Sequence, residues 1–600
     1  MPELQVPVLV WGGGSGGVAA AIQAARRGAR TLLLTPGPWL GGMVSAAGVC
    51  APDGNELSPW QTGIWGAFLR AVAAGEPTGL DHNWVSCFGF RPSTAEQVLR
   101  DWVGALPALT WWPDCRLVEA ARQGDRLVSV TVERQQCAWR LGLELAVDGS
   151  DRGELIALTG EAHRLGWEPR EQWQEPSAPL RRQLESDPFF ASQPVQSPTW
   201  VAMGRLRHDR RCPAPAEQTA ALAAPFAKAS GAFGLERTIT YGRLPGDLVM
   251  LNWPLHGNDW HRGLERAFAA DREAERQLER EMQEHSLAFA QALADASDGW
   301  LELAPTFPQG EAGGFELSGP SPLALMPYWR EGRRLRGLCT VVETDLLPQG
   351  RGAATIAALP ERDGRVDAVA VGNYANDHHY PGGDWPLAAK SCRWGGRWSG
   401  TPFSIPYGAL VSAETSNLLA ADKCISVSHM ANGATRLQPL VLNIGQAAGL
   451  AAALCLERAC SPAELPVMVL QEALIADPEA PAGPFPLWDT PWYHPQWRQR
   501  QLACLADPAR LSDRGQLDLP QQRAAAPLLP PPEQGERRWQ GVLVGEADGS
   551  FALHTQGERW PLITLEPAVH HWFAQQASGS VVALAAVANP WGPWLRVTRF

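Results

Sequence analysis

The chain has 600 residues, 51 Lys+Arg against 63 Asp+Glu, and a formal net charge of −12. That length suits roughly two to four domains. The 45% hydrophobic content excludes wholesale disorder, and the acidic balance argues against a nucleic-acid coat or an anionic-membrane binder, both of which need a basic face. No stretch approaches about 18 uninterrupted apolar residues, so no membrane span is expected. The first residues carry no basic region or small-residue cleavage site, so no signal peptide is expected. The 11 Cys include no CxxC pair; this fits buried thiols in a reducing cytoplasm and offers no metal site.

Residues 8–11 are a short apolar run, 18–27 an Ala-rich helix that Gly28 is placed to stop, and 31–34 a second strand, together one β-α-β unit. Residues 116–133 read as paired strands turning at Gln123-Gly124-Asp125, and 141–148 as another strand. Residues 165–330 are loop-rich, with one long amphipathic helix over 262–294 whose charged face is solvated. Residues 336–346, 366–371 and 417–427 return to strand-like patterning, and 445–456 form an Ala-rich helix. The run Leu528-Leu529-Pro530-Pro531-Pro532-Glu533 reads as a stiff linker, and 539–600 as a small, mostly β appendage with turns at Asp548-Gly549 and Asn589-Pro590.

The sharpest motif is Gly12-Gly13-Gly14-Ser15-Gly16-Gly17, between the first strand and the first helix. Gly12 makes a tight turn, Gly14 leaves room for a pyrophosphate, and Gly17 lets helix and strand pack closely. The helix start then presents unpaired N–H groups and a positive dipole end. An acidic residue ordinarily closes the second strand and holds the ribose hydroxyls; here that position is Thr35.

These residues, with Leu40-Gly41-Gly42-Met43, Asp148-Gly149-Ser150, Gly153-Glu154-Leu155, Asn252-Trp253-Pro254-Leu255-His256-Gly257-Asn258-Asp259, Pro327-Tyr328-Trp329-Arg330-Glu331-Gly332-Arg333-Arg334, Ile405-Pro406-Tyr407, Asn417-Leu418-Leu419, and Ser426…His429…Arg436…Gly445-Gln446-Ala447-Ala448-Gly449, stand in an order over about 5–480 that resembles the FAD-dependent oxidoreductases. The closest resemblance is to members with a glutathione-reductase-type FAD fold, in the branch that includes the flavin subunit of heterodisulfide reductase. It implies an α/β protein with a Rossmann-like FAD-binding domain, an inserted α+β substrate or cap domain, and the β appendage outside the match. The boundaries expected are 1–164 and 331–497 for the FAD domain, 165–330 for the insert, 498–535 for the linker and 536–600 for the appendage. Implied FAD contacts are residues 12–17, Thr35, Gly41, Gly42, Met43, Asp148, Gly149, Gly445, Gln446 and Ala447, with the small residues of the last block opening a helix against the flavin. Thr35, Gly149-Ser150 and Gly332 depart from the family pattern, and no cysteine groups for iron–sulfur clusters are present.

Catalysis on a flavin needs a substrate C–H held over the ring and a nearby proton carrier. His429 and Arg436, before the expected flavin helix, are the first candidates; Asp377 and His379, on one face of an extended segment with Tyr374 and His378 beside them, are the second. Trp253, His256, Asn258, Arg330 and Arg333 are candidate substrate contacts, although a His in a loop, an Asn-Asp turn or a Trp in a core is the plainer role for each. The expected function is hydride transfer between a small or medium organic molecule and FAD. The alternatives are a nicotinamide-dependent dehydrogenase, or a flavin-fold scaffold that docks a partner protein through the appendage.

Overall fold

The computed structural model describes residues 1–600 except 219–221, 309–310, 313–314, 317–318, 351–354, 382–384 and 519–526. Strand β1 (Glu3–Trp11) leads through the glycine loop into helix α1 (Ser15–Arg26) and strand β2 (Thr31–Leu34). Strands β3 (Leu109–Trp112), β4 (Cys115–Gln123), β5 (Arg126–Arg134) and β6 (Cys137–Asp148) complete a sheet of order β3-β2-β1-β6-β5-β4. A late strand, β7 (Leu418–Ala420), joins parallel to β6.

Strand β6 joins the two halves of this sheet. Its first half, 137–142, pairs antiparallel with β5, while its last residues, Ala146–Asp148, pair with β7; along its other edge it runs parallel to β1. β1, β2 and β3 are also mutually parallel. The core is thus a Rossmann-like parallel sheet whose strands are near-continuous apolar runs because both faces are covered. The β-α-β unit and the 123–125 hairpin form where the sequence places them. The expected strand at 417–427 shrinks to β7, because from Asp422 the chain bends to cap α1. At 336–346 no strand forms: Gly337 and Val341 make isolated bridges to Ser412 and Val427, Glu343–Leu346 is a 3-10 turn, and the short strand Arg334–Leu335 lies just before the range.

The region 202–303 carries an antiparallel sheet (Leu301–Leu303, Ala202–Leu206, Leu248–Leu251, Gly242–Arg243) backed by helix α2 (Arg272–Ala296). α2 begins ten residues later than the sequence suggests. Asp271 caps it by accepting from the Glu273 and Ala274 amides, and Gly263 turns the preceding chain through a separate 3-10 element.

Two further helices follow β7: α3 (His429–Thr435) and α4 (Gln438–Arg458). The sequence starts the second of these near Gly445, but it starts at Gln438, with Pro439 in its first turn. α4 is long and apolar enough to span a membrane by composition, and 94% of that window is buried inside the protein. It lies across α1 at backbone contact: a Cβ on Gly445 would fall on the Gly16 carbonyl, and one on Gly449 on the Ala20 carbonyl.

The expected 498–535 linker is another correction. Trp497–Ala506 is a helix whose Cys504 sits in a small core with Phe485 and Leu487, and residues 519–526 lie outside the described residues. After it comes a closed five-stranded barrel over 537–599 with the helix Pro567–Gln575. The Pro530–Pro532 strap does not hold the barrel at a distance. Arg596 forks onto Asp81 at 2.8 and 2.9 Å, Asn589 Nδ2 donates to the Asn83 carbonyl at 2.7 Å, and Trp394 stacks on His570.

The α1–α4 seam yields a sign test. Ala is favoured over Gly in a helix interior by about 1 kcal/mol, so Gly445→Ala would stabilise an open helix. Here the clash dominates, and we expect a net loss of about 1–3 kcal/mol, the usual overpacking range, read as a lowered urea midpoint. An unchanged or raised midpoint would mean that the seam is loose.

Candidate functional site

The glycine loop sits at the carboxyl ends of β1 and β6. Gly12 has φ +108°, and a Cβ there would stand 2.5 Å from the Gly149 carbonyl and the Ser150 nitrogen. At Gly14 it would stand 2.6 Å from Asp422 Oδ2 and 2.8 Å from the Gly149 carbonyl. The loop must therefore be glycine, as the motif indicates, because two other loops of the chain press on it. Asp148 shapes one of them, accepting from the Ser150 amide and hydroxyl and from the Ile156 amide; burial pushes its carboxyl up to about 6. The Gly41-Gly42-Met43 turn closes from the other side. The Gly41 amide donates to the Gly13 carbonyl at 2.9 Å, Ser15 Oγ donates to the Gly41 carbonyl, and Met43 is buried beneath.

Sequence reasoning missed Asp422 and Lys423. Asp422 Oδ2 accepts from the Gly16 amide at 2.9 Å, placing a carboxylate at the start of α1, where the dipole favours negative charge. Lys423, fully buried, bridges Asp422 and Asp151. Their only sequence signal was an acid–base pair directly after a short apolar strand. Thr35 is where the ribose-binding acid is ordinarily found, but its hydroxyl is already engaged: it donates to the Gly37 carbonyl at 2.7 Å and accepts from the Trp111 indole at 3.0 Å. Beside these elements opens a cleft of about 250 Å³, walled by residues 12–14, 35–39 and 150–152.

Gly445, Gln446 and Ala447 are not at a helix start. They lie two turns into α4, where the glycine admits α1 and the Gln446 amide ties together the Ile64 amide, the Ala480 carbonyl and Gln23. The true start of α4 presents Arg436 and Gln438. Both are buried, and both carry a polar atom, Arg436 Nε and Gln438 Oε1, without a hydrogen-bond partner among the described residues.

Arg436 opens a chain of alternating charges. It donates to Tyr328 Oη at 2.7 Å and to Asp377 Oδ2 at 2.9 Å; Asp377 faces His379 Nε2 at 3.3 Å; His379 Nδ1 meets Asp259 Oδ2 at 2.8 Å; and Asp259 pairs with Arg330 at 3.1 Å and with Thr199. Burial alone would raise both carboxyls. Arg330 and His379 hold Asp259 well below the usual range instead, and His379 and Arg436 do the same for Asp377. Both ring nitrogens of His379 face carboxylate oxygens. Asp377 keeps 37% of its side-chain surface exposed. Tyr374 Oη stands 3.5 Å from Asp377 Oδ2, and Asp53 lies close enough for the two carboxyl charges to interact. The Asp53 carboxyl is pushed up to about 7 by burial, then by Glu56 and Asp377.

His429 lies elsewhere. It is buried under Trp167, ring centroids 3.9 Å apart, and its amide donates to Glu168. Nδ1 meets Glu331 at 2.8 Å and Nε2 meets Tyr380 Oη at 2.6 Å; that hydroxyl also meets His378 Nδ1 at 2.8 Å, and His378 Nε2 faces the Met430 carbonyl. The carbonyl accepts only, so His378 Nε2 donates and its Nδ1 accepts from Tyr380; Tyr380 in turn accepts from His429. His378, lowered by burial and by the charge on His429, is the neutral member. His429 is enclosed in this relay.

Of the expected substrate contacts, only Arg330 reaches the charged chain. Trp253 is core, packed on Tyr241 and Trp84. Asn258 ties its own turn to the Trp253 amide and the Leu251 carbonyl. His256 is exposed at positive φ. Arg333 donates to the Phe268 carbonyl and packs beside Arg152, on the side of the glycine-loop cleft.

The family model described as FAD dependent oxidoreductase matches residues 7–474. No curated protein matches significantly. Among solved structures, the chain is similar to L-proline dehydrogenase from P. horikoshii at 17% identity and TM-score 0.16, over 25% of this chain and 23% of that one. It is similar to p-nitrophenol 4-monooxygenase PnpA from Pseudomonas putida DLL-E4 at 10% identity and TM-score 0.23, over 34% and 48%. The monooxygenase PieE, solved in complex with FAD and substrate, gives 13% identity and TM-score 0.23, over 34% and 36%. The match spans less than half the length of each of these structures.

The Asp259–Arg330 pair, each side chain 2% exposed, sets a stability prediction. Removing one partner strands the other, so Asp259→Ala should lose about 3–5 kcal/mol at pH 7. Because the folded Asp259 carboxyl lies below its unfolded value of about 3.9, its contribution is full above that pH and fades as pH falls through the folded value. Urea midpoints of variant and native protein should differ at neutral pH and converge in acid; a gap that persists unchanged would contradict the pairing.

Proposed function

The chain belongs to the FAD dependent oxidoreductase family, and on that premise we propose that it transfers a hydride between a small or medium organic substrate and FAD, in a domain of the glutathione-reductase type. The cofactor would lie extended across the carboxyl edge of the sheet, its adenosine half in the cleft beside residues 12–14 and 35–39 and its flavin half at the start of α4. The observation that carries this reading is the pair of buried, unpartnered atoms Arg436 Nε and Gln438 Oε1: a donor and an acceptor, two residues apart in sequence at the start of α4, fit the edge of a ring system that presents both. Buried polar atoms are nearly always satisfied, so the two point to a group with matching polarity.

Bound FAD supplies the two-electron acceptor. Arg436, fixed by Tyr328 and Asp377, places a permanent cation at the positive end of α4, where negative charge is stabilised without reorganisation. Asp377 holds that guanidinium and is itself flanked by His379. Asp53 is the proton carrier this arrangement favours: it stands near Asp377, and its carboxyl is pushed up to about 7, matched to neutral pH. Tyr374 Oη, within 3.5 Å of Asp377, would orient a polar substrate group.

Two variants test the reading. Gly14→Val should purify without flavin absorbance, since the branched side chain meets Asp422 and Gly149; full flavin content would remove the glycine loop from the cofactor site. Asp53→Asn should keep its flavin, slow flavin reduction by an active donor on the order of 10²-fold, and flatten the pH–rate inflection near 7. A native rate would move the proton carrier elsewhere.

A further inference from the structure

With Thr35 engaged by Gly37 and Trp111, the cleft needs another group to hold the adenosine ribose. Three carboxylates line it: Asp151, Glu154 and Glu279. Asp151 is bound to the buried Lys423 ammonium. Glu154 accepts from the Trp11 indole at 3.0 Å with one oxygen and from Arg152 at 2.8 Å with the other. Glu279 alone has no hydrogen-bond partner among the described residues. It stands half-buried on α2, a helix of the 202–303 region, yet it walls the same cleft as Thr35 and Trp39.

We propose that Glu279 binds the adenosine ribose hydroxyls of the cofactor, in place of the acidic residue that Thr35 replaces. The inference rests on the reading that the adenosine half of FAD occupies this cleft. A carboxylate accepts from two vicinal hydroxyls at once, which the single hydroxyl of a threonine cannot do. The environment agrees. Burial, then the neighbouring Glu275, push the Glu279 carboxyl up to about 7, with Arg152 and Arg276 opposing and Glu154 adding to the rise; two donated hydrogen bonds would relieve that. A second consequence is architectural. The ribose contact would come from α2, so cofactor binding would tie the 202–303 region to the parallel sheet.

The test is equilibrium binding, read by flavin fluorescence on apoprotein, with FAD and with an FAD analogue lacking the adenosine 2′-hydroxyl. Glu279→Gln should weaken FAD on the order of tenfold, as expected for a lost charge-assisted hydrogen bond, and leave the analogue's affinity nearly unchanged; Glu154→Gln should not separate the two ligands. Native protein should bind the analogue more weakly than FAD by a similar factor, a measurement that needs no variant. Native affinity for FAD should also fall as pH drops below about 7, because the protonated carboxyl loses an acceptor, and Glu279→Gln should be flat there. Equal native affinity for FAD and the analogue, or an equal loss for both ligands in Glu279→Gln, overturns the proposal. If Gly14→Val binds FAD normally, the cleft reading itself fails; if Gly14→Val loses FAD while Glu279→Gln does not, only this inference fails.

Discussion

The site depends on backbone meeting backbone where β1, β6, α1 and α4 converge. Gly12, Gly14 and Gly17 face Gly149; Gly42 lies over Gly14; Gly16 and Gly445 touch across the helix seam. Each contact is shorter than any side chain allows, so each glycine there is required by its partner. The benefit is positional. The starts of α1 and α4, two positive helix ends, are brought to the same edge of one sheet, and an extended anionic dinucleotide can run from one to the other.

Such a convergence buries charge, and the chain manages it by alternation. Lys423 stands between Asp422 and Asp151; Asp377 between Arg436 and His379; Asp259 between His379 and Arg330. A lone ion at these depths would be several kcal/mol unfavourable. Alternation with added hydrogen bonds gives each carboxylate an opposite charge: Asp377 and Asp259 are held well below the usual carboxylate range, while burial still raises Asp151. Asp53 and Glu279, which have no hydrogen-bond partner among the described residues, are pushed up to about 7, and Glu279 borders the glycine-loop cleft.

The parallel core and the glycine loop were legible because their signals are local: apolar runs of strand length, an Ala-rich helix and a glycine turn between them. The later block Gly445-Gln446-Ala447-Ala448-Gly449 shows where such reading fails. Small residues report a close approach without saying to what; here the neighbour is α1, and the helix start lies two turns earlier at Gln438. His429 shows a similar limit: a histidine near a cofactor block can serve the ring system or the scaffold, and its neighbours Trp167 and Tyr380 come from 262 and 49 positions away. Asp422 and Asp53 were invisible because their roles come from partners across the fold, Gly16 for the first and Asp377 for the second.

The barrel at 537–599 enters the same argument. Part of its contact with the rest of the chain runs through the hairpin of Ser391–Trp394 and Arg397–Gly400: Asp548 pairs with Arg393, and His570 accepts from the Gly395 amide and stacks on Trp394. From that hairpin Arg397 reaches inward to Glu56 at 3.2 Å and to Cys87, and its charge acts on Asp53. Arg596 meanwhile grips Asp81, six residues from Cys87 in the same loop. The barrel therefore braces both the hairpin that carries Arg397 and the loop that receives it. Arg397, carried on the hairpin the barrel packs on and held by Glu56 and Cys87, offsets part of the rise that burial, Glu56 and Asp377 impose on the Asp53 carboxyl.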